Sequence, residues 1–517
     1  MRLRKTKDSS SVSNAVPYIS ISLAEFGMRY TSPSFILLTL FLKMDQLSFE
    51  GSGSPPIHRL PEYIFRVIFT IVTKVKAEEW GSEEFHSPII SLQLLHVCRL
   101  WRLILKDIPR LWTHIHPANV DFAFFSLELA GEMDLDFNLG IRCCNAARRQ
   151  EVFSPLVFDL IRDNIHRVVQ LRVHRGFTYE LMEFFQKVTA PKLHTAHFDL
   201  HRRSTEFIPF GGSCPNLRNV SWERYTPPLN TIFWDNLTGL SLLYTHSETQ
   251  GLEYRHWEAI LKRNPHLQSI ILKGNVIGPI RSSWNGAEPH VVIRMTHLEY
   301  LVLEGMSAQV AITVLNSVSP PQLSTLTLDY LTADYALPGL EGCEIFSQRL
   351  RTADHLRLFT NRDGRLSLQI STATESADAP IITSIKVHTQ WPSWLTGIVR
   401  HMRSLKKLSI AGHLQSRTIP CLYNIPIPGI TVLKLEEYTR LPYLGYFMVH
   451  KSLPCLEEIA LPPLEYPPEA DHMECIKSLL SNAKLPRITV LTGKMEPDIL
   501  VVFKIFSRET RITLNIQ

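Results

Sequence analysis

Residues 237–272, LTGLSLLYTHSETQGLEYRHWEAILKRNPHLQSIIL, decide how the fold reads. The stretch opens on Leu237-x-x-Leu240-x-Leu242 and closes on Leu267-x-x-Ile270-x-Leu272. In each triplet the last two apolar positions are two residues apart. That spacing puts both on one face of a short strand, while the residue between them faces away. Between the triplets, Trp257, Ile260 and Leu261 share one side of a helix, and Pro265 stops that helix two residues before the next triplet. The order is strand, helix, proline stop, strand.

Working outward, the same triplet recurs at Val168-Leu171-Val173, Leu193-Ala196-Phe198, Leu217-Val220-Trp222, Leu298-Leu301-Leu303 and Leu323-Leu326-Leu328. It continues at Ala353-Leu356-Leu358, Ile382-Ile385-Val387, Leu405-Leu408-Ile410, Ile430-Leu433-Leu435, Leu456-Ile459-Leu461 and Leu485-Ile488-Val490. Thirteen triplets start between 168 and 485, so their mean period is about 26 residues. Further helical faces lie between them: Leu181, Phe184, Phe185 and Val188; Leu395, Ile398, Val399 and Met402; Met473, Ile476, Leu479 and Leu480. Pro191, Pro215, Pro265, Pro321, Pro428 and Pro454 each precede a triplet by two residues. One strand and one helix per period, stacked side by side, predict an α/β solenoid over 118–517. This resembles the leucine-rich repeats, whose period is roughly 20–29 residues. The resemblance implies an irregular horseshoe, because the asparagine that usually follows the strand in that family occurs only as Asn275 and Asn361.

Residues 57–117 have a different texture. Pro61 suits the first turn of a helix, and Glu62 suits its positive end. Ile64, Val67, Ile68, Ile71, Val72 and Val75 then follow a helical stripe that Phe65 and Phe69 widen. After the acidic connector AEEWGSEEF, a second helix is expected to carry Leu94, Cys98, Trp101 and Leu105, and Pro109, Leu111 and Trp112 close the unit. Leu60-Pro61, Ile64 and Ile68, Val97-Cys98-x-x-Trp101 and Leu111-Trp112, in that order, resemble an F-box. Joined to the repeats, it is similar to the F-box/leucine-rich-repeat proteins abundant in mushroom-forming fungi. The acid sits at Glu62, with Tyr63 where the family usually has glutamate, and the connector is longer than the minimal module's.

That resemblance implies a non-catalytic substrate-recognition subunit of a cullin–RING (SCF-type) ubiquitin ligase. Leu60, Pro61, Ile64, Val97 and Trp101 would dock a Skp-type adaptor, and through it a cullin, while the repeats bind a target protein. The alternative is a repeat scaffold that joins no ligase, its helical hairpin serving as a cap.

The composition fits either reading. Hydrophobic residues are 45% and charged residues 20% of the 517, and 54 basic against 49 acidic residues leave +5, too little to argue nucleic-acid binding. Eight scattered cysteines without a CxxC pair favour reduced thiols and a cytoplasmic or nuclear protein. Ser-rich residues 1–56 read as an extension and linker. SFILLTLFL (34–42) is short of a membrane span, and Met44 is a plausible alternative start. GxxxxGK[ST], HExxH and GxSxG are missing, so no enzyme and no cofactor is expected. His194, His197 and His201, the pair His114 and His116, and Cys143-Cys144 lack the spacing or company of metal ligands.

In a leucine-rich-repeat strand the third and fifth positions face the partner. Across the last six repeats these carry Arg357, Lys386, Lys407, Lys434 and Arg487 against one acid, Glu458. The last four basic residues are expected to form a near-continuous row suited to an acidic or phosphorylated target. Asp199, Glu223, Glu304, Asp329 and Glu436, one position beyond the triplets, would neutralise part of it.

Overall fold

The structure, a computed structural model, describes residues 61–79, 91, 94–117, 120–139, 155–174, 179–199, 207–223, 235–244, 252–274, 276–277, 292–331, 342–360, 366–371, 383–387, 398–411, 429–435, 455–461, 487–490 and 513–516. Leu60, Met44 and the rest of 1–56, Asn275, Asn361, Glu436 and the helix expected around 473–480 lie outside them. The chain forms two units, Met1–Trp112 and Thr113–Gln517. His114–Ile115 is the first strand of the second unit.

In the first unit, α1 (Glu62–Glu79) and α2 (Arg99–Lys106) pack through aromatic rings. The Phe65 and Phe69 rings lie 6.1 and 5.0 Å from that of Trp101, edge to face, and all three side chains are buried. This inverts the stripe read from the sequence. Phe65 and Phe69 make the interior, whereas Ile64 and Ile68 are half-buried and Val67 is exposed. The second helix is also shorter than expected. Cys98 is extended (φ −156°, ψ 171°) and caps α2 by accepting the Trp101 N–H on Sγ at 3.4 Å, so Leu94 lies before the helix. Arg66 ties the two helices together, bonding Glu62 at 2.6 Å, the Asp107 carbonyl at 2.9 Å and the Asp107 carboxylate. The Trp112 indole N–H donates to the Leu105 carbonyl at 2.9 Å, so the terminal Leu111-Trp112 pair closes the unit from inside.

The second unit is a mixed α/β body built on one large, almost entirely parallel sheet. Its strands are β1 (His114–Ile115), β2 (Leu135–Leu139), β3 (Val168–Val173), β4 (Thr195–Asp199), β5 (Asn219–Glu223), β6 (Gly239–Tyr244) and β7 (Ser269–Gly274). After the small pair β8 (Ile293–Arg294) and β10 (Val318–Ser319), which flanks β9 (Tyr300–Glu304) in sequence, come β11 (Thr325–Leu331), β12 (His355–Thr360), β13 (Leu366–Ser371) and β14 (Thr383–Val387). β15 (Lys407–Ala411), β16 (Val432–Leu435), β17 (Glu458–Leu461), β18 (Arg487–Val490) and β19 (Thr513–Ile516) complete it. Each of the thirteen triplets carries a strand.

Cross-strand register follows the triplets closely. Leu171, Ala196, Val220, Leu240, Ile270, Leu301 and Leu326 pair one to the next, as do Leu356, Leu408, Leu433, Ile459, Ile488 and Leu514. Those among them with described side chains are at most 2% exposed, so one face of the sheet is dry. Burial of each such Leu or Ile contributes roughly 1.5–3 kcal/mol. Helices occupy that side: α3 (Val120–Ala130) lies against β1 and α7 (Ala308–Ser317) against β11. The intervening α4 (Pro155–Asn164), α5 (Tyr179–Lys187) and α6 (Tyr254–Arg263) precede their strands, as α8 (Glu344–Thr352) precedes β12. Gly274 has φ +78°, and a Cβ there would sit 1.8 Å from the Tyr244 carbonyl oxygen, so the exit from β7 admits only glycine.

Simple stacking in chain order breaks once. β11 pairs with β14, β14 with β13, β13 with β12 and β12 with β15, so three strands enter the sheet in reverse order. β13 is antiparallel to both neighbours, which leaves β12 and β14 parallel to the rest. β14 also joins β11 two residues out of triplet register, with Ile385 opposite Leu328 instead of Leu326.

The corners between helices and strands are fastened by side chains. Asn264, fully buried, donates to the Ile260 carbonyl at 2.8 Å and accepts the Leu237 N–H at 2.7 Å, joining α6 to the previous strand's entry. Arg167 and Arg349 reach back in the same way, to the Gly131 and Met133 carbonyls and to the Leu323 carbonyl. Burial lowers the Arg349 pKa to about 10.

Candidate interaction surfaces

Two surfaces stand out, one in each unit. In the helical unit, Leu94, Ile104, Leu105 and Leu111 are buried with the aromatic rings, and a few apolar side chains stay outside. Tyr63 and Val67 of α1 and Leu100 and Leu103 of α2 are exposed, while Ile64 and Val97 are half-buried. Pro61 is exposed at the start of α1. Trp101, also expected among the adaptor contacts, packs inside the helical pair. At 4% exposure it organises the helical pair and offers little surface. Leu103 at 59% and Val67 at 52% are exposed apolar residues outside the expected adaptor contacts; Val67 faces out because Phe65 and Phe69 take the interior.

In the sheet unit, the residues that alternate with the dry ones pair across the strands in three rows. The middle row runs Asn138, Arg172, His197, Ser221, Ser241, Ile271, Val302, Thr327, Ser384, Gln369, Arg357, Ser409, Lys434, Ala460, Thr489 and Asn515. One row toward the strand starts, His355, Lys407, Val432, Glu458, Arg487 and Thr513 pair in turn. One row toward the strand ends, Asp199, Glu223, Leu243, Lys273, Glu304, Asp329 and Lys386 do the same.

The single basic row expected from the sequence is therefore split. Arg357 and Lys434 share the middle row, Lys407 and Arg487 share the first, and Lys386 stands in the third, directly opposite Asp329. The two-residue shift of β14 is what carries Lys386 into that acid-containing row. Glu458 lies between Val432 and Arg487, interrupting the first row. The register still brings together a compact group. Arg357 on β12, Lys407 on β15 and Lys434 on β16 surround Ser409, which is fully buried. His355 Nε2 lies 2.8 Å from Ser409 Oγ, and its Nδ1 lies 3.3 Å from Ser371 Oγ. The Arg357 guanidinium donates to Gln369 Oε1 at 3.0 Å and sits 5.3 Å over the Phe359 ring.

At the other end of the sheet the polar groups are shielded. His174 and His197 rings are 5.2 Å apart, and His197 Nε2 is 3.6 Å from Glu223 Oε1. Burial, reinforced by Arg172, lowers the His197 pKa to about 4 despite that carboxylate. Between about pH 6.5 and 4 the unfolded chain therefore binds a proton at this site that the folded chain does not. Stability is expected to fall as pH drops through that window, and His197→Gln should flatten the loss while changing little at pH 7.5. Urea midpoints measured across pH 4–7.5 for both chains check this; parallel curves would contradict it. Where β2 to β5 begin, an open groove of about 650 Å³ is lined by Asp134, Asp136, Lys192, His194 and Arg218 among others. Lys192 pairs there with Asp134 at 2.8 Å, His114 Nδ1 lies 3.0 Å from Asp136 Oδ2, and Arg218 donates to the Leu217 carbonyl at 2.8 Å.

The described cysteines, Cys98, Cys214, Cys343 and Cys455, are free thiols, and burial pushes Cys214 up to about 12 and Cys343 up to about 11, so both stay protonated. Among the described residues no helix is long and apolar enough to cross a membrane. The chain matches no protein-family model and no curated protein.

Proposed function

We propose that this chain is a non-catalytic substrate receptor of an SCF-type ubiquitin ligase. Its first unit is an F-box that docks a Skp-type adaptor, and its second is a leucine-rich-repeat solenoid that holds a target protein. The observation that carries the reading is the helical pair. The residues of the Val97-Cys98-x-x-Trp101 and Leu111-Trp112 signature cap and fill it, and apolar side chains are left outside. With Tyr63, Val67, Leu100 and Leu103 exposed, the helical pair has apolar surface to give to a partner helix. The contacts proposed for the adaptor are Leu60, Pro61, Ile64 and Val97, with Val67 and Leu103 added from the geometry. Trp101 holds α1 against α2 behind them.

Replacing Leu60 and Pro61 together by alanine is expected to abolish co-purification of the adaptor while circular dichroism stays nearly unchanged. Undiminished co-purification would remove the F-box reading. Loss of helical signal would favour a capping hairpin instead.

A further inference from the structure

Along the exposed sheet face the chemistry changes in order. Over β7 and β9 it carries an apolar patch: Ile271 and Val302 of the middle row are half-buried, and Tyr300 of the first row is 48% exposed. Over β12 to β16 it is cationic, with Arg357, Lys407 and Lys434 gathered around Ser409. Between them, Thr325, Thr327 and Gln369 carry no charge. The acids Glu304 and Asp329 keep to the third row, at the strand ends. A path along the first two rows thus runs from an apolar patch, over neutral polar ground, to three cations.

We propose that this face binds an extended segment of a partner protein carrying an apolar side chain and, about seven residues away, a pair of Asp or Glu carboxylates. The spacing follows from the register. From Val302 the cations lie four, five and six strands along the sheet, on β12, β15 and β16. At ~4.8 Å between strands the middle of the group is ~24 Å away, and an extended chain covers that in about seven residues. A helix, rising ~1.5 Å per residue, would need about sixteen. Three cations in a triangle, instead of a row, suit two carboxylates on neighbouring residues better than a long polyanion. The proposal deepens the receptor reading by giving the target's chemistry, and its test involves no adaptor, so the two can fail separately.

The full chain is titrated with labelled peptides on a neutral Ser/Gly background. Each carries one leucine and one Asp-Asp pair at spacings of about three, seven or sixteen residues; controls lack either element or carry phosphoserine in place of the acids. The spacing of seven is expected to bind best, with the leucine improving affinity roughly tenfold or more. Tyr300→Ala with Ile271→Thr should erase the leucine's advantage and keep that of the acids; Lys407→Glu with Lys434→Glu should do the reverse. Thermal unfolding of each variant at the wild-type temperature confirms that the sheet is intact. Equal affinity at all three spacings, a best spacing of sixteen, binding of the phosphoserine peptide alone, or indifference to both double variants would overturn the proposal.

Discussion

Trp101→Ala is expected to unfold the helical unit while the sheet unit stays folded. The indole packs against both Phe65 and Phe69, and its own backbone N–H is the one that Cys98 caps. Truncation removes the contact that holds α1 to α2 and leaves a cavity few residues can fill. Comparable losses cost roughly 3–5 kcal/mol, enough to separate α1 from α2. Val67→Ala, at a side chain 52% exposed, should cost less than about 0.5–1 kcal/mol. Hydrogen exchange on the full chain separates these outcomes. Amides of 62–79 and 99–106 should lose protection in Trp101→Ala and keep it in Val67→Ala, with β3 to β7 unchanged in both. Retained protection in Trp101→Ala would show that the aromatic triad is not what assembles the unit.

Asn264→Ala should be the most damaging polar substitution among the described residues of the sheet unit. The carboxamide is fully buried and serves two backbone groups at once, the Ile260 carbonyl and the Leu237 N–H. Alanine leaves both without that partner, at roughly 1–3 kcal/mol each. Aspartate keeps an acceptor for Leu237 but loses the donor to Ile260 and buries a charge, so Asn264→Asp should be no better. In urea unfolding followed by far-UV circular dichroism, the midpoint should fall sharply for both with little change in slope. A midpoint close to that of the parent chain would mean that water or a shifted backbone takes over the bonds.

Much of this architecture could be read from the sequence because one physical constraint governs it. A strand with one dry face must carry apolar residues two apart, and that alone located the strands from β3 to β18 other than β13 and the short β8 and β10. β2 and β19 were missed because Leu135, Phe137 and Leu139, like Leu514 and Ile516, alternate without the leading apolar position of the triplet. β13 had a signal of its own. Leu366, Leu368 and Ile370 alternate directly after Asp363-Gly364, and the five residues from 361 to 365 are too few for the crossover that a parallel neighbour needs. Reading that pair as a hairpin would have reversed the local strand order and separated Lys386 from Lys434.

The sites were less legible, since they depend on register and on which residues win the interior. No pattern in α1 told Phe65 and Phe69 from Ile64 and Ile68 as the buried pair; the partner ring on α2 decided it. Nor did sequence spacing show that Arg357, Lys407 and Lys434 form a triangle. That follows from β12, not β14, lying beside β15.

The central claim is that the helical unit recruits a Skp-type adaptor. The measurement that reaches it most directly is the mass of the complex formed when the purified full chain is mixed with such an adaptor, read by light scattering after size exclusion. A one-to-one complex, lost when Leu60 and Pro61 are both alanine, is the predicted result. A folded chain that elutes at its own mass of 59.3 kDa in the presence of excess adaptor would contradict it.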